Sequence, residues 1–138
     1  MPHSVKKLFV KSGNPQSDGL QQAQREAIVD LLHYCMYTDN LVALKEDSFI
    51  NNVAATLSWD PNISFETYEG GSIGNARRAK ESTAYRSEFL RSVSDRLGNQ
   101  TTKELAFDLV KDLYSADANL SDKETQSLPI LRKALGLS

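Results

Sequence analysis

The sequence predicts an all-α fold, a compact bundle of five to seven helices, on three observations. Apolar residues recur at i, i+3, i+4 and i+7 through most of the chain. No stretch of any length alternates as a half-buried strand does, and Asn62–Phe65 is the only short candidate. The periodic stretches are separated by Gly, Asn, Asp, Ser and Thr clusters of the kind that cap and end helices.

Taken in order, residues 11–19 (KSGNPQSDG) are turn formers, so residues 1–19 read as an N-terminal extension to a single domain spanning 1–138. From Leu20 the pattern is helical. Ile28, Leu31, Leu32, Cys35 and Met36 form one stripe, and the helix should end near Thr38. Phe49, Ile50, Val53, Ala54 and Leu57 repeat the spacing in a second helix. Asp60-Pro61 then offers a cap and a first-turn proline for a short helical piece that Gly70-Gly71 should break. Residues 72–97 read as one helix. Its stripe is Tyr85, Phe89, Leu90, Val93 and Leu97, its exposed face carries Arg77, Arg78, Lys80, Arg86, Arg91 and Arg96, and Gly98-Asn99 ends it. Thr101-Thr-Lys-Glu104 matches a capping box, with the Thr oxygen accepting a backbone N–H and the Glu reaching back. Ala106, Leu109, Val110 and Leu113 give the next stripe. Ser121-Asp-Lys-Glu124 is a second box, and Leu128, Leu131 and Leu135 line a last helix that contains Pro129 and ends at Gly136.

Composition narrows the function classes. A chain of 138 residues, 40% apolar, with a formal net charge of −2, builds one core and offers no general attraction to nucleic acid or anionic membranes. No run approaches the roughly 18 apolar residues of a membrane span. Leu8-Phe9-Val10 is too short for a secretory leader, and the single cysteine, Cys35, forbids an internal disulfide; both fit a cytoplasmic protein. No P-loop, GxGxxG, CxxC, HExxH or GxSxG motif occurs, so an enzyme is not expected. Cys35 lies on the apolar stripe, and His33 has no neighbouring Ser or second His in the sequence for a nucleophilic pair.

Sliding the chain against itself by 78 residues aligns 27–58 with 105–136. Asp30 meets Asp108, Leu31-Leu32 meet Leu109-Val110, and Asp39 meets Asp117. Lys45-Glu46 meet Lys123-Glu124, and Ile50, Val53 and Leu57 meet Leu128, Leu131 and Leu135. Apolar and acidic positions keep register together, which predicts a duplicated helix–loop–helix unit with pseudo-two-fold symmetry.

Asp39, Glu46, Asp117 and Glu124 are the candidate site. Asp39 and Asp117 follow helix C-termini, where an anion is mildly disfavoured. Carboxylate oxygens suit Ca²⁺, Mg²⁺ or Mn²⁺. The alternative is local: Asp-Asn turns and the Ser121 box account for part of the set, but Glu46 has only Ala43 at its cap position. An EF-hand is excluded, because position 6 of the second loop is Asp122 and position 12 is Leu128. Asp108 and Asp112, with Asp30, either extend an acidic surface or pair with the basic central helix.

The loops Thr-Asp39-Asn-Leu-Val-Ala-Leu-Lys-Glu46 and Ala-Asp117-Ala-Asn-Leu-Ser-Asp-Lys-Glu124 resemble the signature of the TerB-like family, over about residues 25–137. Those proteins are associated with tellurite resistance, and a related domain occurs in membrane-linked co-chaperones. The resemblance implies a duplicated all-α fold and a divalent-metal site built from Asp39, Glu46, Asp117 and Glu124. The family's Gly is here Asn40 and Ala118, and Ala takes a left-handed conformation less readily than Asn. The expectation is a TerB-like cytosolic stress protein binding a divalent cation or a partner protein. The alternative is a metal-free helical interaction module.

Overall fold

The computed structural model describes residues 19–38, 44–116 and 122–137. Among them there are six helices and no strand: α1 (Gln22–Thr38), α2 (Leu44–Thr56), α3 (Phe65–Glu81), α4 (Thr83–Leu97), α5 (Gln100–Ala116) and α6 (Asp122–Ala134).

Helix α1 is the hub and packs against α2, α3, α4 and α5. Its sequence explains why. From Ala27 to Met36 every residue is buried, so the helix is apolar on nearly all sides. The core joins Ile28, Leu31 and Leu32 of α1 to Ile50 and Val53 of α2, Phe89 and Val93 of α4, Leu109 and Leu113 of α5, and Leu131 beyond.

α1 and α5 run side by side in the same direction. At their starts, Gln24 Nε2 donates to Thr102 Oγ1 (3.3 Å) and to the Leu97 carbonyl (2.9 Å). Towards their ends, Tyr34 and Cys35 share one cavity wall with Tyr114. The helix ends at Thr38 and Ala116 therefore lie at the same end of the bundle.

The boundary between α3 and α4 differs from the sequence expectation. Asp60-Pro61 opens a turn, with the Asn62 N–H donating to Asp60 Oδ1 (2.9 Å), and the helix starts four residues later behind Ser64, whose hydroxyl accepts from the Thr67 N–H. Gly70-Gly71 does not break the helix. Each glycine weakens it by about 0.5–1 kcal/mol, but the buried face through Ser72, Ala76 and Ala79 holds it on α1. The break falls at Ser82, which has extended dihedrals (φ −121, ψ 115). Ser82 ends α3 through its N–H to the Arg78 carbonyl and starts α4 by accepting from the Tyr85 N–H (3.1 Å). Arg86 donates back to the carbonyls of Ala79 and Lys80, satisfying the frayed end of α3.

The cap of α5 also differs. Asn99, not Thr101, accepts the Thr102 N–H (2.8 Å). Glu104 pairs with Arg132 of α6 instead of reaching back. α6 runs through Pro129 and closes at Gly136 (φ 76), where the Leu137 N–H donates to the Arg132 carbonyl and the Gly136 N–H to the Lys133 carbonyl. That pairing is the Schellman arrangement a left-handed glycine permits.

The apolar half of the repeat alignment shares its burial. Leu31, Leu32, Leu109 and Val110 are fully buried, as are or nearly are Val53, Leu57, Leu131 and Leu135, with Leu128 half-buried against Ile50's full burial. The one acidic pair whose side chains are described does not: Asp30 is buried and Asp108 is not.

Candidate functional site

A helix buried on all sides cannot keep Asp30 and His33 without partners, and α3 and α4 supply them. Asp30 Oδ1 accepts from the Ser72 hydroxyl (2.6 Å), and both its oxygens lie within bonding distance of the Tyr68 hydroxyl (2.8 and 2.9 Å). Arg96 Nη2 meets Oδ2 at 2.8 Å. Arg96 therefore leaves the exposed basic face that the sequence suggests and spans from α4 to α1. Asp30 belongs to a core ion pair and not to an acidic surface.

The electrostatics follow from this packing. Burial, then the charge and hydrogen bond of Asp30, push the Tyr68 phenol well above its ordinary range, and Arg96 only partly counters them. For Arg96, burial pulls the guanidinium down, but Asp30's charge and hydrogen bond, with help from Tyr68, outweigh it and the net shift is upward.

His33 adds a second branch. Its ring is fully buried, with Nδ1 2.8 Å from Ser72 Oγ and Nε2 3.5 Å from Glu69 Oε2. The sequence offers His33 no neighbouring Ser, yet Ser72 reaches it across 39 positions because α3 lies along α1. The wiring is not that of a nucleophilic triad. There the imidazole accepts the hydroxyl proton; here Ser72 donates its proton to Asp30 and stands between the acid and the histidine.

Tyr68 forms a wall between two surface grooves. One, of about 410 Å³, runs along Ile63, Ser64, Thr67, Gly71 and Asn75 of the α3 approach. The other, of about 380 Å³, is bounded by Asp30, Asn75, Tyr85, Glu88 and Arg96. Trp59 braces the wall from behind, its ring 5.4 Å from Tyr68 and 5.1 Å from Phe65, with its Nε1 donating to the Ile63 carbonyl. Cys35 is buried and lines a third, smaller cavity with Tyr34, Leu90 and Ile130.

None of the four acids expected to form a site has a described side chain. Asp39 and Asp117 lie outside the described residues; Glu46 and Glu124 belong to α2 and α6, but their side chains also lie outside what is described. Asp108 pairs with Lys111 at 3.4 Å on the surface of α5. Among the described residues, no group of three or more His, Cys, Asp or Glu side chains is placed to hold a metal ion, and no helix is long and apolar enough to cross a membrane.

No protein-family model, curated protein or solved structure matches the chain.

Proposed function

We propose that the chain is a TerB-like helical binding domain of the cytoplasm, tied to tellurite or another stress response. Two copies of one helix–loop–helix unit, 27–58 and 105–136, present acidic segments to a divalent cation (Ca²⁺, Mg²⁺ or Mn²⁺) or to a basic partner protein. The observation that supports this reading most is the parallel course of α1 and α5. Asp39 follows the end of one and Asp117 the end of the other by a single residue, and those ends share one side of the bundle. Hard carboxylate oxygens from Asp39, Glu46, Asp117 and Glu124 are the donor set for such ions. Buried Cys35 and the absence of any cysteine partner fit a reducing compartment.

Calorimetric titration with each ion tests the metal version. Binding that Asp39→Asn with Asp117→Asn abolishes is the expected result; no heat from any of the three at millimolar concentration removes it.

A second reading, a metal-free interaction module, draws support from the start of α6 at Asp122. In the sequence Ser121 directly precedes that start and Glu124 follows three residues later, the spacing of a capping box. On this reading Glu124→Ala lowers stability by about 0.5–2 kcal/mol, and added metal leaves the melting temperature unchanged.

A further inference from the structure

We propose that the core holds one proton between His33 and Glu69, making the packing of α3 on α1 a pH-sensitive joint that loosens in mildly alkaline solution.

The hydrogen inventory leads there. Ser72 has a single hydroxyl hydrogen, and it is directed to Asp30 Oδ1 at 2.6 Å. His33 Nδ1, 2.8 Å from the same oxygen, must then be the donor in that contact. With Nδ1 protonated, a neutral imidazole would turn the bare lone pair of Nε2 towards Glu69 Oε2, 3.5 Å away. His33 is fully buried and the Glu69 side chain is only 21% exposed, so water screens little of that repulsion. One proton on the Nε2–Oε2 axis removes it, as an imidazolium facing a carboxylate.

The surrounding charges allow this. On its own helix His33 has Asp30, already matched by Arg96 of α4. From α3 come Glu69 and the hydroxyl of Tyr68, and about two turns further along α3 Arg77 lies over the Tyr37 ring (5.3 Å). α2 and α5 enter the shared core with apolar side chains such as Ile50, Val53, Leu109 and Leu113. Asp30 is thus matched by the Arg96 guanidinium, while Glu69 lies against the imidazole.

An unfolded histidine releases its proton near pH 6.5. The folded protein keeps it to higher pH, so the contribution to stability is complete below about 6.5 and is lost as pH rises towards the folded value. Nothing in this depends on a metal or a partner at the acidic segments.

Nuclear magnetic resonance of the full chain tests it. The protein has two histidines, His3 and His33, and a His3→Gln variant isolates the second. The His33 ring nitrogens and the Glu69 carboxyl carbon are followed from pH 5 to 9. The expected result is that the pair releases its proton at least one pH unit above the ordinary imidazole value, a tenfold or greater retention. A bare Nε2 beside an ionised Glu69 at pH 6.5 overturns the proposal. In Glu69→Gln, checked for helical content, the His33 midpoint should fall by at least tenfold in proton affinity; an unchanged midpoint removes Glu69 from the assignment. If that variant does not fold, the titration of the parent chain still decides.

Discussion

Asp30 and Asp108, 78 positions apart, are paired by the alignment of the sequence with itself, and they meet different surroundings. The Asp30 side chain is 5% exposed and gathers Ser72, Tyr68 and Arg96; that of Asp108 is 44% exposed and pairs with Lys111, three residues along its own helix. The cause lies in what surrounds each helix. α1 has neighbours on every side, including α3 and α4, whereas α5 packs on α1, α2, α4 and α6 and leaves the Asp108–Lys111 face to solvent. The same residue in the same register is a structural anchor in one helix and a solvated charge in the other. For this pair, the helices packed around each acid decide its surroundings, and the sequence alignment does not.

The largest expected effects test where the two helices agree. Leu31 and Leu109 are both fully buried at aligned positions, so Leu31→Ala and Leu109→Ala should each lower unfolding free energy by about 2–5 kcal/mol. Urea denaturation measures both; a loss outside that range in one variant alone would mean that the two positions are not equivalent in the shared core.

The acids should then separate. Asp30→Ala strands the Arg96 guanidinium and the Ser72 and Tyr68 hydroxyls. Breaking a buried pair costs about 3–5 kcal/mol, and because Arg96 retains some access to water, about 2–4 kcal/mol is expected. Asp108→Ala should stay within about 0.5 kcal/mol of the parent. Equal losses in the two variants would break the comparison outright.

Much of this was legible in the sequence. The stripes of α1, α2, α4, α5 and α6 were all readable, because 3.6-residue periodicity reports directly on a buried face. Two local choices were not. Ser82 looked like one polar residue inside a helical stretch, and Gly70-Gly71 looked like the stronger break; tertiary packing of Ser72, Ala76 and Ala79 reversed that order. Thr101 and Asn99 both carry cap oxygens, and only the start of the helix chooses between them. The polar network had a readable half. Asp30 and His33 sit within an otherwise apolar run from Ala27 to Met36, which demands buried partners. Their identity was hidden because Tyr68, Glu69, Ser72 and Arg96 come from other helices, and no local spacing encodes which turn of α3 or α4 faces which turn of α1. The acidic segments, in contrast, were legible only as sequence: Asp39 and Asp117 lie outside the described residues.

The joint start of α1 and α5 provides a smaller test. Asn99→Ala removes the acceptor for the Thr102 N–H and should cost about 1 kcal/mol. Thr101→Ala, at an exposed position inside the helix, should change thermal stability little. The opposite ranking would restore the threonine cap that the sequence suggests.

The smallest effect concerns how α5 holds α6. Arg132 donates to Glu104 through both terminal nitrogens, Nη1 and Nη2, at 3.2 and 3.1 Å, and lies over the Phe107 ring at 5.2 Å. Both side chains are a third or more exposed, so the fork contributes about 0–1 kcal/mol and weakens with salt. The ring contact is less sensitive to screening, since it also buries the arginine stem. Glu104→Gln should therefore cost a few tenths of a kcal/mol at low salt and nothing measurable at high salt. Arg132→Gln should keep a penalty under both conditions. If the two variants respond to salt alike, the aromatic stack contributes nothing of its own.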